Sequence, residues 1–189
     1  MIGEFWNQLR KEAENVTQNE PLLANYISTY VLNHDSFESC LSFILANKIS
    51  NNEVLLNSVK ELFINAFSSS PAIIESAAHD IKAAYERDPA ICTYLSVILY
   101  LKGYQSIQVH RLAHFFWENK QQEIALFIQS RNAEVFSVDI HPGCVMGRGI
   151  MFDHATGIVI GETSVIEDNV SIMQQVTLGG TGNDQGDRH

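Results

Sequence analysis

The chain has 189 residues, 46% of them hydrophobic, which is enough for one sizeable core or two modest ones without disulfides or metals. Its 22 acidic and 12 basic residues give a formal net charge of −10, which would repel a phosphate backbone and excludes nucleic acid as an expected partner. Cys40, Cys92 and Cys144 are odd in number and widely spaced, which favours free thiols and a cytoplasmic location. We find neither a secretory signal nor a membrane span in the sequence, so no membrane association is expected.

Residues 4–136 are rich in helix formers, and their apolar residues recur at three- and four-residue spacing, which predicts an all-α region. Ser50 with Glu53 fits a capping box, while Gly103 and the Asp88-Pro89 pair are expected to break helices. The predicted helices cover 4–15, 21–32, 36–48, 51–67, 71–86, 89–102, 105–117 and 120–134.

After Phe136 the helical pattern gives way to a six-residue repeat, and nine of the eleven glycines follow residue 142. One phase of the repeat contains Ile140, Met146, Phe152, Ile158, Ser164, Val170 and Val176, and a second, two places later, contains Ile160, Ile166, Ile172 and Leu178. A period of six fits a parallel β-helix with roughly three hexapeptides per coil. The predicted fold class is therefore α+β, with an α-helical domain at 1–136 and an incomplete β-helix at 137–189.

Several motifs point to one family. They are Asp139-Ile140-His141-Pro142, Asp153-His154-Ala155-Thr156-Gly157, Gly179-Gly180-Thr181-Gly182, Gly186-Asp187-Arg188-His189 and, in the helical half, Arg87-Asp88-Pro89-Ala90. Together they closely resemble the bacterial-type serine acetyltransferases. The resemblance implies a left-handed β-helix that trimerises, with trimers paired into hexamers through the helical domains. Family members continue past the Asp-Arg-His motif, so the chain is interpreted as truncated, without the tail that docks into O-acetylserine sulfhydrylase.

The resemblance also implies an activity, the transfer of an acetyl group from acetyl-CoA to the hydroxyl of L-serine, the first step toward cysteine. This chemistry needs a general base, and histidine serves at neutral pH when a carboxylate orients it. By resemblance, His154 is that base and Asp139 its partner. Fifteen residues separate them in a coil expected to have about eighteen, so they could lie on adjacent rungs.

The family pattern assigns further residues to the substrates. Asp88 and Asp153 would bind the serine ammonium group, Arg188 its carboxylate, and His189 would assist at the same end. Gly180 and Thr181 would let the acetyl-CoA chain approach the backbone. We expect acetyl-CoA as a co-substrate, no permanently bound cofactor, no metal, and feedback inhibition by cysteine, which differs from serine only in sulfur for oxygen.

Three other functions stay open at this level. Another hexapeptide acyltransferase could use the same base on a different acceptor, and a zinc hydratase could use His141, His154 and His189 as ligands. The chain could also be a non-catalytic oligomerisation module. His110 and His114 have helical i, i+4 spacing, but without the glutamate of a zinc-protease motif they indicate packing. The glycines at 179–182 lack the lysine of a P-loop.

Overall fold

The computed structural model describes residues 2–180, so the predicted site residues Thr181, Arg188 and His189 lie outside the described part of the chain. The chain divides into two compact units, one reaching Tyr100 and the other beginning at Leu101. The predicted boundary at residue 136 matches the change from helix to strand, and as a domain boundary it stays a prediction.

The first unit is helical, as the spacing of its apolar residues predicts. Its α-helices are α1 (Ile2–Asn19), α2 (Ala24–Ile27), α3 (Phe37–Ile49), α4 (Leu56–Ser69), α5 (Pro71–Arg87) and α6 (Tyr94–Tyr100). A 3₁₀ turn, Pro21–Leu23, and a π-helical turn, Ser28–Leu32, flank α2. The core of this unit includes Leu9, Ile27, Leu41, Phe63 and Ile81, none of which is exposed.

Two helices of this unit, α4 and α6, start five residues later than predicted. The Ser50–Glu53 capping box does not form, because the Asn51 side chain accepts hydrogen bonds from the backbone N–H groups of Glu53 and Val54 and closes a turn instead. Helix α4 consequently begins at Leu56. Helix α6 begins at Tyr94, after Thr93 caps it by accepting a hydrogen bond from the N–H of Ser96.

As far as residue 180, the second unit contains two long helices followed by seven short strands. The helices are α7 (Lys102–Glu118) and α8 (Gln122–Phe136), and the strands are β1 (Val138–Ile140), β2 (Val145–Met146), β3 (Met151–Asp153), β4 (Ile158–Ile160), β5 (Val165–Ile166), β6 (Ser171–Met173) and β7 (Thr177–Leu178). All pairs are parallel, in three ladders of order β1-β4-β7, β2-β5 and β3-β6. These are the stacked coils of a parallel β-helix, which confirms the predicted fold class.

The two coils differ in length. From Val138 to its partner Ile158 the chain advances by 20 residues, whereas from Val159 to its partner Thr177 it advances by 18. The extra two residues lie after Phe152, because Phe152 still pairs with Ile172 at an offset of 20. The buried series therefore changes from one phase of the repeat to the other at the corner between β3 and β4.

Gly103 lies inside the first turn of α7 rather than at a helix break. A Cβ atom at this position would come within 2.1 Å of the carbonyl oxygen of Phe152 in β3. Only glycine therefore lets the start of α7 approach the strand backbone this closely. Farther along α7, the Arg111 guanidinium donates to the carbonyl oxygens of Met146 and Gly147, at 3.3 and 2.7 Å.

Within residues 2–180, we observe no helix of the length and apolar character needed to cross a lipid bilayer.

Candidate active site

The corner between β3 and β4 carries the predicted base. His154 and Ala155 both have left-handed backbone conformations, with φ of 55° and 62°. Such angles are uncommon outside glycine and tend to occur where function requires them. They turn the His154 side chain outward, where it is 73% exposed, and its Nε2 atom lies 3.7 Å from Oδ1 of Asp153. The corner thus presents an imidazole and a carboxylate side by side at the surface.

Four contacts fix this corner. The N–H of Ala155 donates to the carbonyl of Asp153, and the N–H of Thr156 donates to the carbonyl of His154. The Lys102 ammonium at the start of α7 donates to the Thr156 hydroxyl at 2.5 Å. The N–H of Gln175, in the next coil, donates to the Thr156 carbonyl at 2.9 Å. Both α7 and the following coil therefore hold the corner in place.

Asp139 lies in the middle of β1, between two buried neighbours, Val138 and Ile140, so strand alternation directs its side chain outward. Its Oδ1 atom accepts a hydrogen bond of 2.8 Å from Nε2 of Gln129 in α8. On the next rung its partner is Val159, five residues after His154. Asp139 and His154 thus belong to the same coil, and their direct pairing stays a prediction.

Gln174 follows β6 on the neighbouring rung, one residue beyond Met173, which pairs with Asp153. Its Oε1 atom is buried and has no hydrogen-bond partner among the described residues. An unsatisfied buried amide oxygen is costly unless a ligand or water completes it. Sequence reasoning missed this residue, and its place one coil after His154 is the signal that could have found it.

The other predicted substrate residues are placed as follows. Asp88 ends α5, and its Oδ1 atom accepts a hydrogen bond of 2.8 Å from the N–H of Ala90. Gly180 follows β7 at the end of the described region. The binding roles of Asp88, Asp153, Arg188, His189, Gly180 and Thr181 stay predictions.

Three further histidines, His110, His114 and His141, have packing roles. His110 is 1% exposed, and burial, with smaller effects of His114 and Arg111, lowers its pKa to about 3. Its ring lies near the backbone of Cys144, without a hydrogen bond of good geometry. His114 Nδ1 binds the carbonyl of Pro142 at 2.8 Å, and His141 Nδ1 accepts from the N–H of Gly143. The His114 contact ties α7 to the first coil, and the His141 contact closes a turn within that coil.

A parallel β-helix built on a six-residue repeat is the architecture of the hexapeptide-repeat acyltransferases and their relatives.

Comparison with known proteins narrows this class. The family model described as "Serine acetyltransferase, N-terminal" matches residues 5–109. The serine acetyltransferase of Haemophilus influenzae is 47% identical over 189 residues, which are 100% of this chain and 71% of that protein. The chain belongs to the serine acetyltransferase family.

Solved structures agree in fold over nearly the whole chain. A serine acetyltransferase in complex with cysteine has a TM-score of 0.97 at 46% identity, covering 100% of this chain and 78% of that one. A soybean serine acetyltransferase complexed with serine has a TM-score of 0.96 at 48% identity, covering 100% of this chain and 77% of that one. A serine acetyltransferase in complex with CoA has a TM-score of 0.94 at 46% identity, covering 96% of this chain and 78% of that one.

Proposed function

We propose that this chain transfers the acetyl group of acetyl-CoA to the hydroxyl of L-serine, giving O-acetylserine and CoA, with His154 as the general base. The observation that carries the proposal is the two-residue widening of the first coil, which places an exposed imidazole at a corner held on two sides. The family's structures with serine and with CoA support these two molecules as the substrates.

The imidazole of His154 accepts the proton of the serine hydroxyl as the hydroxyl oxygen attacks the thioester carbonyl. The tetrahedral intermediate then collapses, the carbon–sulfur bond breaks, and the imidazolium returns the proton to the departing CoA sulfur. In this proposal Asp139 orients the imidazole and stabilises its protonated form. Its outward position in β1, in the coil that carries His154, is compatible with this role.

The substrate contacts extend the same proposal. Asp153 lies beside His154 and is suited to the serine ammonium group. The family resemblance assigns Asp88 the same role. Arg188 and His189 would bind the serine carboxylate, and Gly180 and Thr181 would line the path of acetyl-CoA. Since cysteine has the same ammonium and carboxylate groups as serine, it would compete for these residues. The structure of a relative with cysteine supports this inhibition.

Assembly and location are also proposals. Val145 and Val165 are stacked on adjacent rungs and are 50% and 63% exposed, so this ladder offers an apolar face. It suits the trimer that the family resemblance implies, with hexamers formed through the helical region. Docking into O-acetylserine sulfhydrylase is expected from the family resemblance, through the C-terminal tail of the family. The free cysteines favour the cytoplasm.

The deciding experiment measures thiol release from acetyl-CoA with and without L-serine. It compares this chain, its His154→Ala variant, and a chain extended with the part of the Haemophilus influenzae relative that the present chain does not cover. His79→Ala, which removes a histidine from α5, is the matched control. Serine-dependent release that His154→Ala lowers at least hundredfold and His79→Ala leaves unchanged supports the proposal.

Activity only in the extended form would make this chain an incomplete enzyme that serves assembly. If neither form releases thiol in response to serine, the proposed acetyl transfer to serine is wrong.

A further inference from the structure

The hydrogen bond between Gln129 and Asp139 joins a helix to the predicted catalytic coil. Gln129 lies two turns before the end of α8, next to the buried residues Ile128 and Asn132. After α8, Ser137 adopts a left-handed conformation with φ of 58°, which turns the chain sharply into β1. This turn brings Asp139 to within 2.8 Å of a side chain ten residues earlier.

The chemistry of the two groups fixes the direction of the bond. An ionised carboxylate only accepts hydrogen bonds, so the amide nitrogen Nε2 of Gln129 must be the donor. A hydrogen bond to a charged group is among the stronger ones in proteins, and this one is partly buried. It occupies Oδ1 of Asp139 and leaves Oδ2 to another partner.

We propose that Gln129 is a positioning residue for acetyl transfer. By holding one carboxylate oxygen of Asp139, it sets the plane of the carboxylate so that the other oxygen faces the imidazole of His154. The inference rests on the proposed function, because Asp139 needs an orientation only if it serves His154. A purely structural bond between α8 and β1 is the competing explanation.

Two substitutions separate shape from donor capacity. Gln129→Leu keeps the approximate volume and removes the donor, whereas Gln129→Glu keeps the shape and places a second acceptor against Asp139. We expect kcat to fall about tenfold in Gln129→Leu and at least as far in Gln129→Glu, with less than a twofold change in the KM for serine. Gln122→Leu, at the exposed start of the same helix, is the matched control and should retain full activity.

A double-mutant cycle with Asp139→Asn tests whether Gln129 acts through Asp139. If it does, adding Gln129→Leu to Asp139→Asn lowers kcat less than twofold further, because the carboxylate to be oriented is already gone. A structural role predicts the same factor in both backgrounds, together with a lower midpoint of thermal unfolding. Equal factors would overturn the inference, and so would a Gln129→Leu variant with wild-type kcat.

The cycle is run in whichever form of the chain shows serine-dependent thiol release. If His154→Ala abolishes release while Gln129→Leu leaves it intact, the inference fails and the proposed function stands. If no form releases thiol in response to serine, both fail together.

Discussion

The first and second coils of the β-helix stack on each other through parallel ladders, yet they differ in length and support. The first uses 20 residues per turn and is held by Gly103, Arg111 and Gln129 of α7 and α8, while the second uses 18. The additional residues lie at the corner that carries His154. In the proposed function, the regular repeat forms the scaffold and the departure from the repeat presents the catalytic base.

The most direct way to break this comparison is to make the first coil as short as the second. Deleting Ala155 and Thr156 keeps His154 but removes the left-handed corner that directs it outward. We expect serine-dependent thiol release to fall at least hundredfold, because small displacements of a catalytic group are that costly, while far-UV circular dichroism still shows a folded chain. Ala155→Gly keeps the length of the coil and its positive φ, so it should stay active. Wild-type rates in the deletion would show that the widened corner has no catalytic role.

A second change removes the close approach between helix and coil. Gly103→Ala places a methyl group 2.1 Å from the carbonyl of Phe152, and backbone must move to admit it. We expect the free energy of unfolding in urea to fall by about 3 kcal/mol. Gly3→Ala in α1 is the control, since nothing lies within 4 Å of its added Cβ, and it should gain up to about 1 kcal/mol from helix propensity. Equal effects at the two glycines would contradict the packing argument.

The third prediction concerns acid sensitivity near the first coil. Burial lowers the pKa of His110 to about 3 in the folded chain, while an unfolded histidine titrates near 6.5. Between these values the unfolded state binds a proton that the folded state excludes, so stability falls as the pH drops from about 6.5 toward 3, by roughly 1 kcal/mol per pH unit. Urea unfolding at several pH values should show a shallower slope in His110→Leu than in wild type. His79→Leu is the control variant. If the free energy of unfolding depends on pH as steeply in His110→Leu as in His79→Leu, the buried histidine does not cause the acid sensitivity.

The smallest expected effect concerns the contact by which Lys102 of α7 supports the corner that carries His154. Lys102→Met keeps the aliphatic stem and loses the ammonium group that donates to Thr156. Because the contact is exposed, we expect activity to fall only about threefold. The measurement is kcat for thiol release, with Lys11→Met on α1 as the control. A fall of a hundredfold would mean that Lys102 contacts substrate directly.

Much of this architecture could be predicted from sequence, because it follows from local periodicity. The helical spacing before Phe136 and the six-residue repeat after it predicted the element types and the parallel β-helix. The phase change after Phe152 was also visible, since Ile160, Ile166 and Ile172 leave the series that contains Ile140. A strictly constant period of six does not predict the two added residues at this corner.

Other features depend on contacts between residues distant in sequence, and no local pattern predicts them. Gly103 looks like a helix break until the backbone of Phe152 is placed beside it. Gln129 resembles any half-buried helical glutamine until the turn at Ser137 brings Asp139 to it. The later start of α4 has a local cause instead, because the Asn51 side chain accepts hydrogen bonds from nearby backbone N–H groups and so competes with helix formation.

The in-register stacking of the coils has a consequence for how such chains are compared and redesigned. Each rung residue is defined by its neighbour above and below, so a corner can gain or lose residues while Phe152 still stacks on Ile172. An alignment that counts a constant spacing loses its frame at such a corner, whereas one that matches rung partners keeps it. Corners are therefore suitable insertion points for new side chains in an engineered β-helix, because residues added there leave the stacked hydrophobic pairs unchanged.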